Sequence, residues 1–393
     1  MKFNLVATPP LLLCAVYLLS VLVASLAGFD LISVNTHFLI LFLLVIGVIC
    51  DYLAKVLLIK YRPSSTFANT HSSTSIYILV AFLLIGAGFI VRLRLEQLNN
   101  FSSLQLLRMA LITGDLPNLQ FPLSNIQSFS HALGLVILVF SIRTYRNFIP
   151  YDLKRLMIIS FFISISIAML EGNRASLIII LTQVFLILWL SRRLPDPRVI
   201  VITLFSTLLI FTILQMFMRQ NESADDISIV FDLVIRNVAS YFAGGLVAFD
   251  KVFSGNAAAP DFVLPISGFL STIFKSNSND VDVILPFLDL GGGTTGNVYT
   301  ALYYFGFFHF PLLGLLIYSI ATFVTSLFFR LARSSTFALL VASYLGVTFI
   351  LWPLSEYFIT LFPLFIRECL IYFFFKYFVF QRLLSRRLLF VHS

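Results

Sequence analysis

Residues 37–54 read HFLILFLLVIGVICDYLA, and the first formal charge in that run is Asp51, near its end. As a helix the run rises about 27 Å and is apolar on every side, so it offers no face to water. That length matches the hydrocarbon thickness of a bilayer, where the backbone must bond to itself because lipid supplies no hydrogen-bonding partner. The run reads as a membrane span, and the rest of the chain is read from it.

Comparable runs recur to either side, over 9–27, 75–91, 127–142, 156–171, 175–190, 199–218, 309–329, 336–352 and 357–380. The expectation is an all-α integral membrane protein of about 10 transmembrane helices, forming a single polytopic domain over residues 1–393. Composition agrees. At 59% hydrophobic and 11% charged, with 44 Phe among 393 residues, the chain has more apolar surface than one water-soluble core can hide. Its mean hydropathy is +0.98.

Near the N-terminus, Lys2, the run Leu11–Val23 and the small residues Ser25 and Ala27 imitate a signal peptide, but the segment is read as an uncleaved first span. Cys14, Cys50 and Cys369 all fall within apolar spans without metal-ligand spacing, and they carry no assigned role. A formal charge of +8 would suit nucleic acid only if the basic residues shared one polar face. They lie instead in short clusters between spans, as topology signals do.

With the N-terminus inside, seventeen Lys and Arg fall on the inner side, among them Lys55, Lys60 and Arg62, Arg143 and Arg146, and Arg192 and Arg193. The outer connections hold eight: Arg92, Arg94, Arg108, Arg174, Arg219, Arg236, Lys251 and Lys275. Both termini are thus expected in the cytoplasm. Glu222, Asp225, Asp226, Asp232, Asp250, Asp261, Asp280, Asp282 and Asp289 concentrate in one external segment, 219–308, too long for a simple connection.

Within that loop, Ile227–Phe253 has apolar residues at helical spacing, and Asn297–Phe308 is rich in Tyr and Phe, as expected of pieces lying on the membrane surface. Between them, Gly291-Gly292-Gly293-Thr294-Thr295-Gly296 reads as a mobile tip or hinge. It lacks the Lys-Ser/Thr ending and preceding strand of a phosphate loop. The stretch Arg92–Asn125, with leucines between polar residues, should include a second interfacial helix. The spans show no internal repeat and almost no acids, apart from Asp51 and Glu368 beside Arg367. Repeats and acids would have argued for a transporter.

The short external turn Glu171-Gly172-Asn173-Arg174-Ala175-Ser176 places an arginine at a helix start, against the macrodipole. With the free backbone N–H groups there, a guanidinium fork suits phosphate; a snorkelling Arg beside an Asn cap fits the same spacing. Arg219 and Arg236 add two cations to an otherwise acidic outer region. Singly each reads as a solvated charge, but three near membrane level are what a lipid-linked diphosphate requires. Glu222, Asp232 and Asp250 lie close by in sequence as candidate bases for a sugar hydroxyl. The pair Asp280-Val281-Asp282 has no third ligand nearby and His309 stands alone, so no metal and no cofactor are expected.

Three segments carry a resemblance to a family: Gly172-Asn173-Arg174-Ala175-Ser176-Leu177; Tyr241-Phe242-Ala243-Gly244-Gly245-Leu246-Val247-Ala248-Phe249-Asp250; and Asn297-Val298-Tyr299-Thr300-Ala301-Leu302-Tyr303-Tyr304-Phe305-Gly306. Over about residues 155–330, and in its topology, the chain resembles the oligosaccharide repeat-unit polymerases, or O-antigen polymerases. Where that family commonly shows Asp-Phe-Gly, this chain has Tyr304-Phe305-Gly306, so no acid is available there.

The resemblance implies a fold of the GT-C membrane glycosyltransferase type in the bacterial inner membrane. Its substrates would be undecaprenyl-diphosphate-linked oligosaccharides, joined on the periplasmic face among membrane lipids, with a separate chain-length regulator as a partner. It assigns Arg174, Arg219 and Arg236 to the diphosphate and Asp250 or Glu222 to the base. Asn173 accompanies Arg174 in the turn, while Tyr241, Asn297, Tyr299 and Tyr304 orient sugars. A ligase using the same donor and a flippase for the lipid-linked unit are the alternatives.

Overall fold

The computed structural model describes residues 8–30, 32–58, 74–98, 126–144, 151–170, 174–192, 235–236, 239–257, 287–291, 294–298, 311–353 and 361–376. Among these the helices are α1 (Pro9–Leu26), α2 (Val34–Leu58), α3 (Thr74–Leu98), α4 (Ile126–Thr144), α5 (Tyr151–Leu170), α6 (Arg174–Leu190), α7 (Gly245–Phe253), α8 (Pro311–Leu331), α9 (Thr336–Ile350) and α10 (Phe362–Phe374). A π-helical turn, Ser240–Gly244, leads into α7. Strands β1 (Phe287–Gly291) and β2 (Thr294–Asn297) form an antiparallel hairpin.

Each of nine of the ten expected runs has a described part on one of these helices, and 199–218 lies outside the described residues. Helical residues at Pro9–Leu26, Val34–Leu58, Leu153–Leu170 and Leu312–Leu331 are long and apolar enough to cross a membrane. The chain is a largely helical, multi-pass membrane protein.

The reason is plain on α2. It buries Leu39, Ile40, Leu43, Gly47 and Ala54, yet its opposite face of Phe38, Leu41, Val45, Val48 and Tyr52 is equally apolar and more than half exposed. In water that stripe would be a large unpartnered patch; in lipid it is the solvated face.

The chain divides into two compact units. Unit 1 comprises Met1–Arg62, Ala224–Arg333 and Val341–Phe362. In it α1 packs against α2, α8 and the π-turn, and α2 lies along α8. Two prolines at the first positions start α1, where their missing N–H groups cost nothing. Gly28, at φ 69°, ends it: its N–H donates to Ser25 O and that of Phe29 to Ala24 O, the double closure a left-handed residue permits. Gly47 lets Tyr318 approach α2, since a Cβ there would stand 2.6 Å from the Tyr318 hydroxyl. Near the far ends of both helices, Arg330 Nη2 meets Asp51 Oδ2 at 2.6 Å. The acid noticed in span two is thus the partner of an arginine on α8.

Unit 2 comprises Pro63–Ser223, Ser334–Leu340 and Pro363–Ser393. Its centre is α4, buried at every position from Ser130 to Ile142 and packed on α3, α5 and α6. Gly134 admits the Phe161 ring of α5, which would sit 2.9 Å from a Cβ there. The Tyr372 ring of α10 stacks on Phe140, and its hydroxyl bonds Thr336 Oγ1 at 2.6 Å.

Two expectations change, and a third falls mostly outside the described residues. The stretch expected as an interfacial helix from Arg92 begins as a continuation of α3 through Leu98, steadied by an Arg92–Glu96 pair at 2.8 Å one turn apart. Residues 99–125 lie outside the described residues. The part of Ile227–Phe253 expected on the membrane surface is instead interior at α7, where Gly245–Asp250 and Val252 are all buried. Its near-continuous apolar run suits enclosure on all sides better than one wet face. The glycine run expected as a mobile tip supplies strand residues Gly291 and Thr294–Gly296, making a hairpin in an otherwise helical description.

Candidate functional site

Unit 1 gathers the α1–α2 loop, the π-turn with α7, and the hairpin into one constellation. A π-turn adds a residue to the helical repeat and so breaks the regular pairing of its carbonyls. One of them, Phe242 O, is taken by Ser20 Oγ of α1 at 2.7 Å. Tyr241 is left half-buried and Phe242 exposed, so two aromatic rings stand at the outside of the turn.

The hairpin lies on that turn by glycine meeting glycine. A Cβ on Gly296 would fall 2.2 Å from Gly244 O and 2.8 Å from Gly244 C, closer than any side chain tolerates. Leu290 of β1 covers Gly244 from the other strand, 3.1 Å from where its Cβ would be. Gly296 lets β2 pass directly over the turn, where no side chain would fit.

Asp250, the one acid of α7, turns toward the start of α2. Its Oδ1 accepts from the Ser33 backbone N–H at 3.0 Å and from Ser33 Oγ at 2.5 Å. Ser33 Oγ in turn accepts from the Thr36 N–H at 3.4 Å, as a helix cap does. The carboxylate therefore fixes the loop into α2 and favours the positive end of that helix. Next to it, Lys251 Nζ pairs with Asp30 Oδ2 at 3.0 Å and donates to Asp289 O at 3.0 Å. The Asp30 side chain is 70% exposed, so the pair orients the loop and the hairpin more than it stabilises them.

The sequence-derived candidates divide sharply. Asp250 and Tyr241 belong to this constellation, Arg236 lies just ahead of it, half-buried, and Asn297 ends β2 opposite Phe287. Asp250 is engaged through Oδ1 by Ser33. Arg174 opens α6 in unit 2 as expected of a helix N-terminus. Asn173, Arg219, Glu222, Tyr299 and Tyr304 lie outside the described residues, as do Asp280, Asp282 and His309.

Sequence reasoning did not single out Ser20, Asp30 or Ser33. Ser33 carried a signal, a serine immediately before an apolar helical run, which is how an N-cap reads. Ser20 carried none, because a serine in a span is ordinary and its acceptor exists only through the π-turn. Comparison with family models, with curated proteins and with solved structures finds no match to this chain.

Proposed function

We propose that this protein is a glycosyltransferase that polymerises undecaprenyl-diphosphate-linked oligosaccharide repeat units into O-antigen or a related surface polysaccharide. The reaction would run on the periplasmic face of the bacterial inner membrane, in a chain of ten spans with both termini in the cytoplasm and a fold of the GT-C kind. The observation that carries the reading is the junction of Gly244 and Gly296. It sets the segment Tyr241–Asp250 against the start of the segment Asn297–Gly306, two of the three segments on which the family resemblance rests.

In the reaction, a hydroxyl oxygen of the acceptor unit attacks the anomeric carbon of the donor. The bond from that carbon to the diphosphate oxygen breaks, and the electron pair leaves with undecaprenyl diphosphate. Arg174, Arg219 and Arg236 would meet the charge growing on the diphosphate. Asp250 or Glu222 would take the acceptor proton, and Asp250 also positions the α7–α2 junction through Ser33. Tyr241, Tyr299 and Tyr304 offer ring faces to sugars, with Asn297 beside them. No nucleotide site is needed, since the donor arrives already activated.

The test is a gel ladder of surface glycan from cells lacking the gene, complemented with the native chain or with Arg174→Ala. Polymerase loss collapses long chains to core plus one unit, and Arg174→Ala at normal protein level should not restore them. Disappearance of all repeat-bearing material would move ligation or flipping ahead, and unchanged chain length with Arg174→Ala would remove the diphosphate assignment.

A further inference from the structure

Unit 1 packs the π-turn against α1, and α1 measures how deep the turn lies. With 18 residues α1 rises about 27 Å, which leaves no length to spare across a bilayer. Its far end is marked by Asp30 in the loop that follows, a side chain 70% exposed, and Leu18, Leu19, Leu22 and Leu26 are exposed up to that end. Ser20 stands six residues before Leu26, so it lies about 9 Å inside the apolar layer. Ser20 Oγ donates to Phe242 O at 2.7 Å, and this fixes the π-turn at the same depth.

From there α7 climbs back to the boundary. Phe242 to Asp250 is eight residues, about 12 Å of helix, and Asp250 arrives at Ser33 in the α1–α2 loop. The charges follow this course: Ser240–Phe249 carries none, and Asp250 and Lys251 come together where the loop is reached. The backbone is satisfied as lipid requires. In water a carbonyl released by a π-turn would find solvent; inside a bilayer it needs a side-chain donor, and a serine of a neighbouring span supplies one. Gly296 lies against Gly244, which brings strand backbone to this level too, and such backbone survives in a membrane when protein encloses it. Leu290 and Val298 are accordingly buried.

On the outside of the turn, Phe242 is 45% exposed. Its depth decides what it meets, because the exposed α1 residues within one turn of Ser20 are Leu18, Leu19 and Leu22, all apolar. Phe242 continues the lipid-facing side of α1. We propose that the π-turn and α7 are sunk into the leaflet at the α1–α2 loop, with the Phe242 ring against acyl chains of the bilayer about 9 Å below its boundary. This placement is independent of the proposed reaction.

The experiment uses the full-length chain in phosphatidylcholine vesicles, with Phe242→Trp as a depth probe. The chain's two tryptophans are removed as Trp189→Phe and Trp352→Phe. Lipids brominated along the acyl chain should quench most of the emission from position 242, and aqueous iodide should quench little of it. Asp30→Trp in the same background should respond in reverse. Strong quenching of Phe242→Trp by iodide, or by neither agent, would overturn the placement. Phe242→Cys keeps it decidable if tryptophan is not accommodated. With Cys14, Cys50 and Cys369 replaced by Ala, that thiol should resist a charged, membrane-impermeant maleimide that labels Asp30→Cys. Equal labelling of the two positions would overturn the placement as well.

Discussion

Replacing Gly296 by Ala tests the junction on which the candidate site is built. The new Cβ would stand 2.2 Å from Gly244 O, 2.8 Å from Gly244 C and 3.1 Å from Ala248 Cβ. Non-bonded carbons rest at roughly 3.5–4.0 Å, so hairpin and turn would have to part by about 1 Å. Two of the three obstructing atoms are backbone, and no rotamer change can relieve them. Overpacking of this kind costs about 1–3 kcal/mol, and the rigid partners put Gly296→Ala near the top of that range. Gly244→Ala is the internal control. Its Cβ would meet the flexible end of Leu290 at 3.1 Å and Gly296 Cα at 3.4 Å, so its cost should stay below about 1 kcal/mol. Trp352 is buried in unit 1, so denaturant unfolding followed by its fluorescence in a Trp189→Phe background reports on that unit. Polymer length measured on the same variants links the geometry to function. A Gly296→Ala protein as stable and as active as native would refute the reasoning.

Other consequences follow from neighbouring contacts. Asp250→Asn keeps the shape but weakens the bonds to Ser33, so it should lower stability by about 1–2 kcal/mol while retaining part of the activity. Complete loss of polymer in a well-folded Asp250→Asn protein would instead argue for a base. Asp51→Ala leaves Arg330 largely buried and uncompensated, at about 2 kcal/mol after allowing for its partial exposure. Adding Arg330→Met should recover much of that, measured as a double-mutant cycle in denaturant. Ser33→Ala should reproduce most of the Asp250→Asn destabilisation and add little to it, because the two act through one contact.

The helices were legible because lipid imposes one rule on every span: apolar residues for about 20 positions and no exposed backbone. The ends were less so. Arg92, Arg94 and Glu96 look like a departure from the membrane, yet they remain helical to Leu98 through pairing one turn apart. The loop segment 219–308 was recognised as important, but the junction described in it depends on the close approach of Gly296 to the backbone of Gly244, far apart in sequence. Spacing rules do not reach that distance. Asp250 attracted notice as one acid among many, and its contact with Ser33, 217 residues away in sequence, is visible only in the fold. Glu368 stood out as an acid within a span beside Arg367, and in the fold the two point in different directions, Glu368 to Gln183 and Arg367 to Ser128.

The central claim is that this chain itself forms glycosidic bonds between lipid-linked units. Its most direct test supplies the purified protein in a bilayer with a synthetic undecaprenyl-diphosphate-linked repeat unit as the sole sugar substrate. The account predicts a ladder of longer glycans, with one undecaprenyl diphosphate released for each bond formed. Units that stay single, whether left in place or carried across the bilayer, would contradict it.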